Sequence, residues 1–286
     1  MRTKRVEALK NYVIISDPHI GCQFGLYDPT VNWKMDGGGL YRPSMGQEAV
    51  YHAWLEFWEE WVPMVTKGEE YVVVLNGDAI DGVHHKSVTQ ITHNVQKQRE
   101  LAYQILKKRI TDNKACVKYY HLRGTEAHVG PSGQDEEALA RDLGAIPDEE
   151  TGNYARWDMW LRTHNKALLH FSHHIGTTAS SSYESTAVYK EMVEAFNEAG
   201  RWREEPPDVI IRSHRHRQFM TVIGTAKGMG IVIVTPGWQL KTPFVYRLAS
   251  GRSGTPQIGG YVIRTGDEDD VYARFKLWKL SRSKEA

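Results

Sequence analysis

Residues 71–78 read YVVVLNGD, an unbroken apolar run that stops on a polar turn closed by a carboxylate. A short continuous run of this kind predicts a strand covered on both faces, and IVIV at 231–234 reads the same way. The same pattern recurs outward along the chain. Tyr12 to Ser16 runs into Asp17-Pro18-His19, Val117 to Leu122 into RGTEAH (123–128), Leu168 to Ser172 into His173-His174, and Val209 to Ile211 into SHRH (213–216). Between these strands lie helical patterns. Ser44 with Gln47 is a capping box opening a helix that runs to Trp61, with Trp54, Phe57, Trp58 and Trp61 spaced as core. Further helices are expected over 88–109, over a short run capped by Ser132 with Asp135 and ending before Gly144, and from Glu184 to a stop at Gly200. Beyond Arg215 the pattern turns to strands and Gly-rich turns. The fold class is α/β, in one domain over 1–286. Residues 24–43 form a long surface loop, with a second irregular or hairpin stretch at 251–260.

Composition narrows the function. The chain has 286 residues, 36 Lys+Arg against 35 Asp+Glu and a formal charge of +1, which excludes a disordered chain and gives no support to wrapping duplex nucleic acid. A local basic groove remains compatible with that total. Cys22 and Cys116 are too few and too far apart for a disulfide framework, and the apolar runs are too short to span a membrane. No signal peptide is read at the amino terminus. The expectation is a cytoplasmic protein with no membrane partner.

The chemistry sits where the strands stop. Asp17 and His19, two apart on extended backbone, point to one side and could share an ion. Asp78 closes the second strand, and Asp81-Gly82 reads as a turn. Each cluster is weak alone. Together they place carboxylates and imidazoles at the carboxyl ends of parallel strands, where open sheets gather ligands. Carboxylate and imidazole without thiolate suit Mn, Fe, Zn, Co or Ni, and the number of candidates suits two ions sharing one carboxylate.

The ordered series D17-P-H19, G77-D78, G124-T-E126, H173-H174 and H214-R-H216 resembles the calcineurin-like metallophosphoesterases. The resemblance implies a two-sheet β-sandwich flanked by helices, a four-layer α/β/β/α arrangement with a dinuclear centre at its edge. It implies that Asp17, His19 and His216 hold one ion and His173 and His214 the other, with Asp78 between them. One motif departs: where the family usually has Gly-Asn-His-Asp or Gly-Asn-His-Glu, this chain has G124-T125-E126-A127-H128. We expect Glu126 to serve as the replacement ligand and His128 to handle the proton, with His121 as the rival imidazole, read as core. The alternative is a weakened second site.

The function expected is hydrolysis of phosphate esters, as a phosphodiesterase or phosphatase, by two divalent ions (manganese first) that clamp phosphoryl oxygens and activate a water. His84, His85, Arg123, His174 and Arg215 are substrate-facing candidates, with Lys86 completing a cationic turn. Tyr27, Trp33 and Tyr41 are loop aromatics placed to stack a nucleobase. Rival readings are a nuclease acting on a short single strand and a non-catalytic scaffold. Nothing in the sequence sets the oligomeric state.

Overall fold

The computed structural model describes residues 8–84, 86–176, 183–226, 228–247, 254–267 and 270–280. Its strands are β1 (Asn11–Ile15), β2 (Tyr71–Asn76), β3 (Cys116–Leu122), β4 (Ala155–Arg156), β5 (Asp158–Arg162), β6 (Leu168–Ser172), β7 (Val209–Arg212), β8 (Phe219–Thr225), β9 (Gly228–Val234), β10 (Ile258–Thr265) and β11 (Val271–Trp278). They form two mixed sheets, ordered β11-β10-β1-β2-β3-β4 and β5-β6-β7-β9-β8. β1, β2 and β3 are mutually parallel in the first sheet, as are β6, β7 and β9 in the second.

The unbroken apolar runs follow from burial on both faces. In β1 and β2, Tyr12, Ile14, Val72 and Val74 meet Leu169, Phe171, Ile211 and Ile233 of the other sheet. Their neighbours Val13, Ile15, Val73 and Leu75 turn to a helical layer built from α1 (Met45–Glu56), a π-helical turn at Phe57–Trp61, α2 (Val62–Thr66), α3 (Val95–Lys107) and α5 (Gln134–Asp142). On the far face of the second sheet, Val188 and Met192 of α6 (Glu184–Trp202) cover Ile210, Val232 and Val234. Two sheets therefore lie between two helical layers, as expected. The helix α4 (Glu126–Val129) and α7 (Pro243–Arg247) are single-turn pieces near the strand ends.

The Ser44–Gln47 capping box is present, and Trp54, Phe57, Trp58 and Trp61 are buried. The second helix begins at Val95 rather than 88, because Asn94 caps it and the preceding residues lie along the first loop of the site. Gly133, in left-handed backbone, starts α5, and Ser132 makes no cap. α6 passes through Gly200 to Trp202 and stops at Arg203, whose backbone is left-handed. β4, β5 and α7 were not foreseen. Residues 24–43 are irregular but not a surface loop throughout. Tyr27 and Trp33 are buried against the helical core, and Tyr41 donates to Gln47 Oε1 at 2.6 Å, so these aromatics are packed rather than offered to a base. Of the stretch 251–260, residues 258–260 belong to β10 and 251–253 lie outside the described residues. Among the described residues no helix is long and apolar enough to cross a membrane.

Candidate metal centre

Because β1, β2, β3, β6 and β7 run in parallel within their sheets, their carboxyl ends deliver Asp17, Asp78, Thr125, His173 and His214 to one edge of the sandwich. Backbone bonds lock the ends together: Asp17 N–H donates to Gly77 O at 3.0 Å, His19 N–H to Asp78 O at 3.1 Å, and Ser213 N–H to His173 O at 2.9 Å. A buried polar seam ties the two sheets beneath the site. Ser16 Oγ lies 2.6 Å from Thr235 Oγ1, Thr235 Oγ1 donates to Ser213 Oγ at 2.8 Å, and Asn76 Nδ2 reaches the same Oγ at 2.6 Å. Hydrogen bonds wholly inside a protein are directional, so the seam sets the spacing of the strand ends.

The loops that follow are strained. Asp17, His19, Asp78, His214 and His216 all adopt left-handed backbone, with φ of 53°, 42°, 53°, 70° and 50°. Such conformations cost energy for non-glycine residues and gather at functional sites. Asp17 and His19 thus converge by leaving the strand, not by alternating along it as expected. Two glycines are required by close approach. A Cβ at Gly124 would collide with the Asp78 carboxylate, and one at Gly77 with the His173 ring.

Among the described residues, three groups bring ligand atoms within 4.8 Å of one another: Asp17, His19 and His216; Asp78, His173 and His214; and His19, Asp81 and His128. In the first, His216 Nε2 is 3.1 Å from Asp17 Oδ1 and 3.0 Å from His19 Nε2. In the second, His173 Nε2 is 3.0 Å from Asp78 Oδ2 and 3.8 Å from Asp17 Oδ1, which links the groups. His173 Nδ1 donates to Asn76 O at 2.6 Å, so Nε2 is the nitrogen that a cation would take once its proton is released. Both oxygens of Asp17, His19 Nδ1 and His173 Nε2 are buried without a hydrogen bond. Orphaned atoms of this type are the donor set a divalent cation takes, so the residues present fit bound divalent metal.

Charge inside the site is strongly coupled. Burial opposes ionisation of Asp17, yet His216 and His173 hold its carboxyl down to about 2. Burial likewise opposes the Asp78 carboxylate, but His173 and His128 keep it well below the usual range. Burial disfavours the charged form of His173, and Asp78 with Asp17 raise it to about 10. Burial, reinforced by His173, pushes His214 down to about 4, and burial also takes His128 to about 4.

The Thr125 departure has a definite outcome. Thr125 N–H donates to Asp78 Oδ1 at 2.7 Å, and its hydroxyl lies 3.1 and 3.2 Å from the two Asp78 oxygens. It orients the shared carboxylate. Glu126 opens α4, is exposed, and belongs to none of the three groups, so its expected place as a ligand is not where the structure puts it. His128 does face the site, with Nδ1 donating to Asp81 O at 2.6 Å and its ring 4.4 Å from that of His19. His121 is fully buried against Tyr119 Oη at 2.6 Å, in keeping with its reading as core.

The substrate candidates scatter. His84 and Arg215 line the cleft beside the groups, whereas His174 is exposed next to His173 and His214 without lining it. Arg123 is taken up elsewhere: it reaches Glu137 at 3.2 Å and Ser132 O at 3.3 Å, and lies over Trp157. His85 lies outside the described residues. Two residues were missed. Asp81, read as a turn, is buried among His19, His84 and Gln90. Glu136 of α5, with no exposure at all, accepts from Ala79 N–H and Gly124 N–H, each at 2.7 Å, and so clamps the loops carrying Asp78 and Thr125. Its sole signal in the sequence was an acidic residue on the apolar side of a short helix.

The architecture and the ordered strand-end residues are metallophosphoesterase-like. No family model matches the chain, and no curated protein does. Solved structures similar to it include a predicted phosphoesterase of Streptococcus pneumoniae (9% identity, TM-score 0.34, covering 94% of this chain and 98% of that one). A metallophosphoesterase of Sphaerobacter thermophilus has 9% identity, TM-score 0.38 and coverage of 95% and 89%. Vps29 of Chaetomium thermophilum has 8% identity, TM-score 0.40 and coverage of 94% and 98%. Likenesses of this size say nothing of what this chain does; that rests on the site.

Proposed function

We propose that the protein is a metal-dependent phosphoester hydrolase with preference for diesters, using two divalent ions of which manganese suits the mixed donors. The observation that carries this reading is the set of orphaned buried atoms on Asp17, His19 and His173 at the convergence of the strand ends. Asp17, His19 and His216 would hold one ion and His173 and His214 the other, with the Asp78 carboxylate available to both. When bound, the ions supply Lewis-acid charge against phosphoryl oxygens and make a water acidic enough to attack phosphorus. The chain's own residues do the rest. Thr125 fixes the Asp78 carboxylate, and Asn76 O holds the His173 tautomer. His128, anchored through Nδ1 to Asp81 O, lines the cleft. Burial keeps that imidazole neutral, and an anionic phosphate beside it favours the imidazolium, which can protonate a leaving oxygen. Cys22 and Cys116 are free thiols, in keeping with a cytoplasmic setting.

The Thr125 departure sustains the scaffold alternative, and one experiment separates the two. Protein stripped of metal and reloaded with Mn2+ is assayed for bound ions and for cleavage of bis(4-nitrophenyl) phosphate. About two ions per chain and turnover that vanishes with chelator support the hydrolase. Fewer than two ions and no cleavage establish the scaffold.

A further inference from the structure

We propose that Asp81, His128 and the Nδ1 side of His19 form a third cation site, suited to Zn2+, whose filling blocks proton delivery by His128; that consequence for turnover rests on the hydrolase reading above. Asp81 belongs to neither of the two groups that make up the proposed ion pair. It is nonetheless buried, with imidazoles gathered around its carboxylate. His19 Nδ1 lies 3.6 Å and His128 Nδ1 3.9 Å from Oδ1, and His84 Nε2 lies 3.6 Å from Oδ2. Gln90 Nε2 donates to Oδ2 at 2.9 Å, which leaves Oδ1 to face His19 and His128. These three residues bring ligand atoms within 4.8 Å of one another.

The spacing favours an ion over a plain contact. A carboxylate that only steadied His19 would close to about 2.7–2.9 Å. At 3.6 Å there is no hydrogen bond, and His19 Nδ1, on a side chain 2% exposed, has no hydrogen-bond partner. Two donors held by one Zn2+ at about 2.0–2.2 Å sit about 3.3–3.6 Å apart in a tetrahedron, which is the spacing of His19 and Asp81. Imidazole with carboxylate suits zinc, which such donors hold more tightly than manganese. His19 would serve two sites through opposite nitrogens, since its Nε2 lies 3.0 Å from His216 Nε2 in the first group. Filling both sites takes a lone pair from each nitrogen and leaves the ring without a proton, so the third ion is held more weakly and enters last. An imidazole bound to a cation cannot become imidazolium. The third ion therefore silences His128 as proton donor.

The first test counts ions by equilibrium dialysis against excess Zn2+. The native chain is expected to hold about one ion more than Asp81→Asn or His128→Ala. His52→Ala, which removes an exposed histidine outside the three groups, should match the native count. The second test adds Zn2+ to protein at saturating Mn2+. In the native protein kcat/KM on an alkyl diester should fall about tenfold or more further than on bis(4-nitrophenyl) phosphate, whose leaving group needs no proton. In Asp81→Asn the added Zn2+ should change both esters alike. Equal counts in the native protein and both variants overturn the site. A count that falls in Asp81→Asn but not in His128→Ala makes Asp81 a positioning residue for His19 and likewise overturns it. Should Asp81→Asn unfold, His128→Ala against His52→Ala carries the count alone. An extra ion with cleavage of neither ester sinks the hydrolase reading and the block on turnover, and leaves the cation site standing. An extra ion with both esters slowed alike in the native protein overturns the block alone.

Discussion

Asp17 and Asp78 end neighbouring parallel strands, share a φ of 53° and are equally buried, yet they meet different partners. Asp78 arrives with its carboxylate already oriented by the N–H and hydroxyl of Thr125. Asp17 accepts no hydrogen bond through either oxygen, and the imidazole nearest to it is that of His216, with Nε2 3.1 Å from Oδ1. A buried carboxylate left without donors costs several kcal/mol, which only a charge close by can offset. The difference assigns the two residues distinct work. Asp17 supplies unspent charge, and Asp78 supplies a fixed geometry between two sets of imidazoles.

The largest effect should come from exchanging either charge for an amide. Asp78→Asn is expected to lower bis(4-nitrophenyl) phosphate turnover by about 10²-fold or more with the fold intact by circular dichroism. Asp17→Asn should do the same and, in addition, abolish most of the rise in Tm that Mn2+ produces in the native protein. Near-native turnover of Asp78→Asn at saturating metal would remove Asp78 from its shared position. An undiminished metal-induced rise in Tm for Asp17→Asn would show that its orphaned oxygens are not waiting for a cation.

The next effect depends on the leaving group. His128→Ala should reduce kcat/KM on an alkyl or ribose diester by about 10²-fold, and on a nitrophenyl ester by far less, since nitrophenolate departs without a proton. His121→Ala should show no such dependence, because its ring is occupied by Tyr119. Equal losses on both esters for His128→Ala would make it a positioning or ligand residue instead. The pairing of His128 with Asp81 O and the burial of Asp81 were invisible in the sequence, where D81-G82 looks like any turn. What was legible is instructive by contrast. Strand ends announce themselves because apolar runs on doubly covered strands stop abruptly. The chain order of Asp17, His19, Asp78, His173, His214 and His216 therefore carried over into spatial order. Side-chain direction beyond the last strand residue did not. It is set by left-handed φ values, by the Ser16–Thr235–Ser213–Asn76 seam, and by Glu136 reaching in from a helix, all of them products of tertiary packing. Glu126 and His128 illustrate this limit: two residues apart, one faces the site and the other does not, because positions two apart on a helix point roughly 200° away from each other.

The two metal groups should also differ in their response to pH. In the metal-free protein His173 keeps its proton up to about pH 10, whereas His214 is already neutral above about 4. A cation entering the Asp78 group must therefore expel one proton, from His173, across the neutral range. Affinity there should rise by about tenfold per pH unit between roughly 6 and 9. Calorimetry in buffers of differing ionisation enthalpy would register the proton. A pH-independent affinity with no release would mean that His173 is not a ligand.

The smallest effect concerns what holds Asp78 in place. Thr125→Ala removes the hydroxyl donor but leaves the backbone N–H on Oδ1, so only part of the orientation is lost. A single hydrogen bond to a charged group, with its partner N–H retained, is worth a change of roughly three- to tenfold in metal affinity. Thr125→Ser, which restores the hydroxyl, should recover it. Glu126→Ala should fall within about twofold of the native protein, since Glu126 is exposed and outside the ligand groups. Metal analysis of the three variants decides the matter. If Glu126→Ala instead loses more metal than Thr125→Ala, the carboxylate swings inward on loading, and Glu126 is the replacement ligand first read from the motif. If Thr125→Ala alone weakens binding and Thr125→Ser repairs it, the departure at this position has exchanged a ligand for an orienting donor, and that hydroxyl shares with the Thr125 N–H the work that sets Asp78 apart from Asp17.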